Sequence, residues 1–438
     1  MSKKTPGKPK KPAKAPARGP MHQHVAREVA DVTIDDIAGG GSGIARWRNK
    51  TILVPFTIPG ERVQVRLLGE QDGMMRAEPV RLIEASADRV TPQCEGHFTA
   101  SCVRCGWQHI AYQAQLTLKQ DLLADHLLRI GRVPENALTL LPTVAAAQPW
   151  QYLHHVTWNV SEIGSLKLQG KGKAPVRHRD CALIHPDLLA AVDALDVEEG
   201  ALAGISHIRV LRGSDGAVML LLLATQEEAP DLNLELDVSI NMVLPDNSPM
   251  NLVGSTITSI MLGERELRAT AGTYFRPNLP MLATQSELVR QTLDLKPTDR
   301  VLDLYGGIGT FSMAIAPHVS RLTYVDSYPP AVTDADDNLE AFSHVDVIEG
   351  SVEEVLPELD DTYDAAVVDP AHGLSADVME GLARLKVGRL VYVSGDASEL
   401  ARDVKELSRF GYVLEHAQAV DMMPNTAFVD SVALFLRI

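Results

Sequence analysis

The chain has 438 residues, of which 45% are hydrophobic and 22% charged, and its formal net charge is −16 at pH 7. This length exceeds a single hydrophobic core and predicts several domains, while the composition excludes a fibrous or largely disordered protein. The longest apolar run, AVMLLLLA from Ala217, is too short to span a bilayer. No signal segment opens the sequence, so we expect a cytoplasmic protein without a membrane partner.

A basic, proline-rich tail occupies residues 1–24, with seven Lys or Arg and no acidic residue. The rest of the chain has 34 basic and 57 acidic residues, about −23. Such a tail cannot bury apolar surface, so we expect it to be disordered, either as a solubilising segment or as an RNA-binding arm. Because the remaining chain is acidic, any RNA site must be a local patch.

A small β-barrel is predicted for residues 25–90. Short β-rich runs at 29–34, 51–54 and 62–68 alternate with Gly and Pro-Gly turns. This pattern is typical of small OB-like barrels. Such barrels bind oligonucleotides on an open face, or serve only as spacers or protein contacts, and the pattern leaves both roles open.

The four cysteines of the chain are Cys94, Cys102, Cys105 and Cys181, in the spacing C-x7-C-x2-C with one distant partner. Four thiols in a cytosolic chain favour a metal or iron–sulfur cluster over disulfides. Three close ligands and a remote one fit a cubane cluster better than zinc, which more often uses two C-x2-C pairs. The alternative is four unrelated buried cysteines.

A mainly antiparallel middle domain is predicted for residues 91–265. It includes a helix over 112–130, where apolar residues recur at helical spacing. Hairpin signals follow, such as HIRVLRGSDGAVMLLLLA with Asp-Gly at the turn. The basic stretch KLQGKGKAPVRHR, residues 167–179, is a candidate RNA-binding patch.

A doubly wound α/β domain is predicted for residues 266–438. The runs RVLDL, RLTYVD, VDVIEG, YDAAVVDP and RLVYVSG are short apolar strands separated by stretches of helix length. This alternation indicates a mostly parallel, Rossmann-like sheet.

The segment VLDLYGGIGTFSMAIA has the pattern strand, glycine-rich turn, helix, which suits a ligand bound at a helix start. The dinucleotide fingerprint is not met, because Ser312 stands where its third glycine belongs. Asp303 and Asp326 at strand ends instead suit S-adenosylmethionine, with Asp326 accepting both ribose hydroxyls and Asp303 near the amino-acid end. Asp369 ends another strand at the same rim. The candidate cofactor residues in these segments are Asp303, Tyr305, Gly307, Gly309, Thr310, Asp326, Ser351 and Asp369.

Another strand-to-helix turn lies in YVSGDASELARD, residues 392–403. An α/β enzyme usually holds reactive groups at such a turn. This one offers Ser394, Gly395 and Asp396, and no thiol, imidazole or lysine.

These segments together resemble the bacterial RNA uracil-5-methyltransferases, which methylate C5 of uridine in ribosomal or transfer RNA. GGGSGIAR…VPFTIPGERV is similar to the family's TRAM barrel. The segments CEGHF…CVRCGWQHIAYQAQLTLKQ and RDCALIHPDL are similar to its 4Fe–4S segment, although the first spacing is two residues longer than usual. The catalytic-domain matches follow in order: TAGTYFRPN, VLDLYGGIGTFS, DPAHG, YVSGDASELARD and DMMPNTAFVDSVALFLR. The resemblance implies a 4Fe–4S cluster, S-adenosylmethionine and a structured RNA partner.

The reactive positions depart from that family pattern. The family's chemistry requires a cysteine thiolate that attacks C6 of uracil, and a base that then removes the C5 proton. The nucleophile position of the family motif S-C-N-P is Gly395 in this chain, and the position of the glutamate base is Asp430. Phe428 replaces a histidine of the family, and His372 replaces an arginine. Arg276 replaces a glutamine that resembles a group positioning the cofactor and the base.

The resemblance and these departures predict a monomeric, RNA-binding family member that is degenerate at the nucleophile. Two alternatives remain: an active RNA methyltransferase that methylates an atom already nucleophilic, without a covalent adduct, and an iron–sulfur binding or redox protein.

Overall fold

The computed structural model describes residues 28–94, 96–99, 105–161, 166–168, 181–195, 201–230 and 237–438. The predicted tail, Cys102 and residues 169–179 of the basic stretch lie outside the described residues. The chain divides into two compact units. One comprises Gly43–Ala85 with the residues up to Asp36, and the other comprises Ile37–Ser42 with Ser86–Ile438.

The first unit is a closed five-stranded barrel with the strand order β1-β2-β3-β5-β4. Its strands are β1 Val29–Ile37, β2 Gly43–Trp47, β3 Lys50–Val54, β4 Arg62–Gln71 and β5 Met74–Glu84. Apolar side chains alternate with polar ones along β1, and the apolar set fills the barrel interior. The predicted barrel is confirmed, and β2 and β5 complete it.

The antiparallel region of the second unit is a six-stranded sheet of order β12-β11-β10-β9-β7-β8. Its strands are β7 His155–Val160, β8 Leu166–Leu168, β9 Ile205–Arg212, β10 Val218–Ala224, β11 Ser239–Val243 and β12 Pro249–Val253. The predicted Asp-Gly turn joins β9 to β10, with Gly216 at φ +91°. One pair, β10 with β11, is parallel. Helix α2, Pro186–Asp193, covers one face, and the hairpin β13 Ile257–Leu262 and β14 Arg265–Thr270 follows.

The C-terminal sheet has eight strands in the order β17-β16-β15-β18-β19-β21-β20-β6. The strands are β6 Leu140–Val144, β15 Arg300–Leu304, β16 Arg321–Asp326, β17 Val345–Glu349, β18 Ala365–Val368, β19 Arg389–Ser394, β20 Tyr412–Val420 and β21 Asp430–Arg437. The five strands from β15 to β19 are parallel, and β21 runs antiparallel to β19. The predicted doubly wound fold is confirmed.

Helices alternate with these strands, as the sequence pattern predicts. They are α3 Leu279–Thr292, α4 Thr310–Ile315, α5 Pro329–Leu339, α6 Val352–Glu358, α7 Ala376–Arg384 and α8 Ala397–Leu407. Short 3₁₀ turns occur at His97–Thr99, Glu135–Ala137, Ala316–His318 and Ser408–Phe410. Among the described residues, no helix is both long and apolar enough to cross a membrane.

Helix α1, Tyr112–Arg129, follows the cysteine-bearing segment, as predicted. It packs against α8, and β6 pairs in parallel with β20. Residues 112–144 therefore complete the C-terminal sheet, although the sequence pattern assigns them to the middle domain. The sequence of a strand such as β6 does not show whether it pairs with a neighbouring strand or with one far along the chain.

Substitution of Gly43 should destabilise the barrel. A Cβ at this buried position would lie 2.2 Å from Thr57 Oγ1 and 2.8 Å from Ile34 Cγ2. Thr57 donates to Val54 O, so it cannot move aside without losing that hydrogen bond. We expect Gly43→Ala to lower the free energy of unfolding by about 1–3 kcal/mol, measured by urea denaturation. Gly40→Ala is the matched control, because no atom lies within 4 Å of its Cβ position. Equal effects of the two substitutions would contradict this prediction.

Candidate active site

The carboxyl ends of β15, β16, β18 and β19 meet at one edge of the parallel sheet, beside a cavity of about 800 Å³. Parallel strands present their carboxyl ends at a shared edge, where doubly wound proteins bind ligands. The sequence-predicted residues that line the cavity are Arg276, Tyr305, Gly307, Thr310, Asp326, Asp369, Gly395 and Asp430. Asp303, Gly309 and Ser351 are not among its lining residues.

The glycine-rich turn after β15 forms one wall of the cavity. Gly306 is required sterically, because a Cβ there would lie 2.3 Å from the Tyr324 ring. Gly307 adopts φ +55°, a left-handed conformation that glycine accepts at little cost. The amides of Gly307 and Tyr328 each donate to one oxygen of Asp326, both at 2.9 Å. Asp326 is thus held at the end of β16 with lone pairs left for a ligand.

Asp303 is fully buried beneath this turn, at the end of β15. Its Oδ2 accepts a 2.6 Å hydrogen bond from Ser312 Oγ, the side chain that replaces the third fingerprint glycine. Its Oδ1 is buried without a hydrogen-bond partner in the described structure. Burial raises the pKa of Asp303 to about 7, against the opposing effect of Ser312. Asp303 therefore joins the end of β15 to α4, the helix that follows the glycine-rich turn, through its hydrogen bond with Ser312.

Arg276 lies between two carboxylates at the opposite wall. Its Nη1 and Nη2 donate to Asp369 Oδ2 and Oδ1 at 2.6 and 2.8 Å, a bidentate ion pair. Its Nε lies 3.4 Å from Asp430 Oδ2. Although burial lowers the pKa of Arg276, the two carboxylates raise it more, so the guanidinium stays charged. Burial raises the pKa of Asp430 despite the neighbouring guanidinium.

The turn at Gly395 contains no reactive group in the structure. Asp396 is the N-cap of α8 and accepts from the backbone amides of Ser398 and Glu399. The buried Ser394 hydroxyl donates to Asp396 O at 3.0 Å and accepts from Asp396 N at 3.1 Å. A Cβ at Gly395 would meet only Asp430 Oδ2, at 3.8 Å. Both polar side chains thus stabilise the helix start, and open space lies beside Gly395.

The loop between β20 and β21 carries Met422, Met423 and Phe428 to the cavity. Helix α1 holds this loop. The buried Lys119 donates to Asp421 Oδ1 at 2.5 Å and to Met423 O at 3.0 Å. Gln115 donates to Asn425 Oδ1 at 3.1 Å and accepts from Asn425 N at 2.9 Å. No local sequence pattern predicts these contacts, because each partner lies about 300 positions away.

Other cavity residues were also missed. Tyr274 and Tyr328 line the cavity, two positions from Arg276 and Asp326 respectively. Their closeness in sequence to predicted site residues is the signal that could have found them. His372, by contrast, is 91% exposed, with Nδ1 4.0 Å from Glu399 Oε1, and does not line the cavity.

Three of the four cysteines are described. Cys105 is buried in the core of the six-stranded sheet, and Cys181 packs against the same cluster. Gln108 links Cys105 to Cys94, because its Nε2 donates to Cys105 Sγ at 2.9 Å and its Oε1 accepts from Cys94 N at 3.0 Å. Within the described residues, no group of three or more Cys, His, Asp or Glu side chains is arranged to hold a metal ion. With Cys102 undescribed, the predicted cluster is untested.

The cavity fits S-adenosylmethionine by its donor set. The open Gly307 position, with no atom within 4 Å of its Cβ site, leaves room for a ligand against the backbone. Asp326 offers acceptors for ribose hydroxyls, and Asp369 and Asp430 offer negative charge. The one unfavourable element is the positive charge of Arg276, which the ion pairs partly neutralise.

Comparisons with known proteins agree with this architecture. Residues 30–87 match the model of the TRAM domain of tRNA (uracil(54)-C(5))-methyltransferase. The chain is 25% identical to the 23S rRNA (uracil(1939)-C(5))-methyltransferase of Photobacterium profundum, over 93% of each chain. It is 27% identical to an uncharacterised RNA methyltransferase of Halalkalibacterium halodurans, covering 93% of this chain and 96% of the relative.

The fold is also that of a solved structure. The Pyrococcus abyssi tRNA (uracil-54, C5)-methyltransferase in complex with S-adenosyl-L-homocysteine superposes with a TM-score of 0.71 at 22% identity. The match covers 93% of this chain and all of that one.

Asp303 should make the unfolding free energy depend on pH. Its folded pKa of about 7 lies above the ordinary aspartate pKa of 3.8, so between these pH values the folded state keeps a proton that the unfolded state has lost. This stabilisation is full below about pH 4 and is lost as the pH rises through about 7. The isosteric Asp303→Asn lacks this dependence and should gain stability relative to the unmodified protein between about pH 5 and about pH 8. Urea unfolding of the ligand-free proteins at both pH values measures the difference, and a constant difference would refute the assignment.

Proposed function

We propose that this chain is a member of the RNA uracil-5-methyltransferase family that binds RNA and S-adenosylmethionine without forming 5-methyluridine through a covalent adduct. The RNA is of the ribosomal or transfer class, as the names of the relatives suggest. The protein acts as a monomer in this proposal.

The observation that carries the proposal is the state of Gly395. The cavity that should receive the target base has no cysteine among its lining residues. Ser394 and Asp396, the polar neighbours, are engaged in capping α8. C5 of uracil becomes nucleophilic only after a nucleophile adds to C6, so this step has no candidate residue.

The base position supports the same conclusion. Asp430 is one methylene shorter than glutamate and faces Arg276. Removal of the C5 proton requires a base within hydrogen-bond reach of the carbon. A carboxylate placed about 1 Å short, with a guanidinium as its neighbour, is a poor substitute, since misplacement of that size can cost about a hundredfold in rate.

Retention of the cofactor is supported by the parts of the cavity that remain complete. The glycine turn, the anchored Asp326 and the buried Asp303 are all present. When bound, S-adenosylmethionine supplies an electrophilic methyl group. The residues of this chain would orient it, with Asp326 accepting from the ribose hydroxyls and the open backbone position at Gly307 lying against the ligand.

We also propose that Cys94, Cys102, Cys105 and Cys181 hold a 4Fe–4S cluster. Support comes from the burial of Cys105, from Cys181 at the same core, and from the amide of Gln108 that donates to the Cys105 sulfur. Hydrogen bonds to thiolate ligands stabilise such clusters and tune their potentials. The cluster would join the start of the cysteine segment to the six-stranded sheet.

The purified protein should transfer no methyl group from tritiated S-adenosylmethionine to C5 of uridine. The substrate is bulk RNA from a host that lacks its own uracil-5-methyltransferases. It should also form no covalent complex with 5-fluorouridine RNA, because trapping requires attack at C6. Calorimetry with S-adenosylmethionine and S-adenosylhomocysteine tests the binding half of the proposal. Formation of 5-methyluridine would overturn the proposal, and methylation at another atom would favour the non-covalent alternative.

Restoration of the family residues should recover part of the activity. Gly395→Cys fits sterically, since among the described residues, apart from its chain neighbours, the new Cβ would have only Asp430 Oδ2 within 4 Å. Alone it should give at most a weak adduct, because Asp430 and Arg276 remain. The triple variant with Asp430→Glu and Arg276→Gln should exceed the sum of the single changes, because groups that act as one unit are not additive. Gly395→Ser in the same background is the matched control.

Anaerobically purified protein should be brown and contain about four irons per chain. Cys105→Ser should bleach the colour and lower the unfolding midpoint, while Thr298→Ser, at an exposed position of the described chain, should do neither. Stoichiometric zinc without visible absorbance would rule out the cluster.

A further inference from the structure

One face of the six-stranded sheet is polar and basic on its strands β8, β7 and β9. The side chains on this face belong to cross-strand neighbours, Asn159 with Lys167 and His207, and Thr157 with Arg209. The alternate residues Trp158 and Ile208 point the other way, into the core. We name these five residues, Lys167, Asn159, Thr157, His207 and Arg209, the β7–β9 face.

The β7–β9 face differs in charge from the rest of the protein. The whole chain has 57 acidic residues against 41 Lys and Arg, yet the sequences of β7, β8 and β9 contain no Asp or Glu. A local basic surface on an acidic protein attracts anions. No acidic side chain on these three strands would repel an anion bound there.

Arg209 is the central residue of this face. Its Nε donates to Thr157 Oγ1 at 3.3 Å, and in the described part of the chain its guanidinium makes no ion pair. Burial lowers the pKa of Arg209, because the electrostatic effect of Tyr274 does not fully offset the loss of water around the guanidinium. Arg212, three residues along the strand, shows the contrast, because Asp187 Oδ2 pairs with its Nε at 2.6 Å. A partly buried cation without an ion-pair partner in the described structure can pair with an external anion, and that pairing would offset the cost of its burial.

The β7–β9 face leads directly to the rim of the cavity. The His155 ring, on β7, lies 6.1 Å from the Tyr274 ring and donates through Nε2 to Phe275 O at 2.7 Å. Arg209 interacts electrostatically with Tyr274, which lines the cavity. An anion at Arg209 would therefore lie one side chain away from a ligand in the cavity.

We infer that the β7–β9 face binds the sugar-phosphate backbone of single-stranded RNA beside the nucleotide that enters the cavity, with a phosphate paired to Arg209. The inference rests on the proposed function, since it assumes that the cavity receives a nucleotide of RNA. A base reaches a closed pocket only from an unpaired or flipped position, so the flanking strand is locally single-stranded. Arginine suits a phosphate because its guanidinium donates in a bidentate geometry.

Fluorescence anisotropy with labelled oligouridylate and oligoadenylate tests the inference on the full chain. Arg209→Met should weaken binding of both oligonucleotides by about tenfold, the value of a lost charge-assisted contact. The slope of log K against log salt should shrink by about 0.7, the release expected for one phosphate on a single strand. Arg321→Met is the matched control, because it removes the same charge from an exposed arginine that pairs with Asp346. It should leave both affinity and slope unchanged.

Further variants separate a phosphate contact from a fold defect. Arg209→Lys keeps the charge and should restore the salt slope with only part of the affinity. Lys167→Met changes an exposed residue on the neighbouring strand and should also reduce the slope. Calorimetry with S-adenosylhomocysteine should be unchanged in every variant, which shows that the cavity is intact.

Two outcomes would overturn the inference in different ways. If the unmodified chain binds RNA and Arg209→Met and Lys167→Met retain its affinity and slope, the β7–β9 face is not the phosphate site, and the proposed function stands. If the unmodified chain binds no oligonucleotide at any salt concentration, the proposed function fails and the inference fails with it.

Discussion

The shared carboxyl edge of the parallel strands is the constraint on which the site depends. β15, β16, β18 and β19 all end at this edge, so residues from four separate segments reach one cavity. The strands themselves are nearly all apolar and buried on both faces, which is why their register is well determined. The polar residues at their ends have little freedom to lie elsewhere.

A single guanidinium determines the electrostatics of that edge. Arg276 donates two hydrogen bonds to Asp369 through Nη1 and Nη2, and its Nε lies near Asp430. Three charged side chains are therefore in direct contact. Removing the guanidinium would leave two facing carboxylates, and each would favour protonation of the other. Two of the positions that the sequence singles out are thus coupled, because Arg276 interacts with Asp430 as well as with Asp369.

The loop between β20 and β21, which lines the cavity, is held by a helix outside the C-terminal sheet. Lys119 and Gln115 on α1 hold Asp421, Met423 and Asn425 through a buried ion pair and reciprocal amide hydrogen bonds. Helix α1 directly follows the cysteine segment, so anything that orders those cysteines also bears on the loop that carries Phe428 and ends at Asp430.

The sequence by itself determined the classes of structure and several residues of the cavity wall. Alternating strand and helix patterns predicted the doubly wound sheet, and the glycine turn placed Tyr305, Gly307 and Thr310, because these signals are local and steric. Only the tertiary structure decided which charges meet. The pairing of Arg276 with Asp369 and Asp430 joins residues about 90 and 150 positions apart, and β6 joins a sheet nearly 300 positions away. Periodicity carries no information about such partners, since a strand or an arginine looks the same in sequence whichever neighbour burial assigns to it.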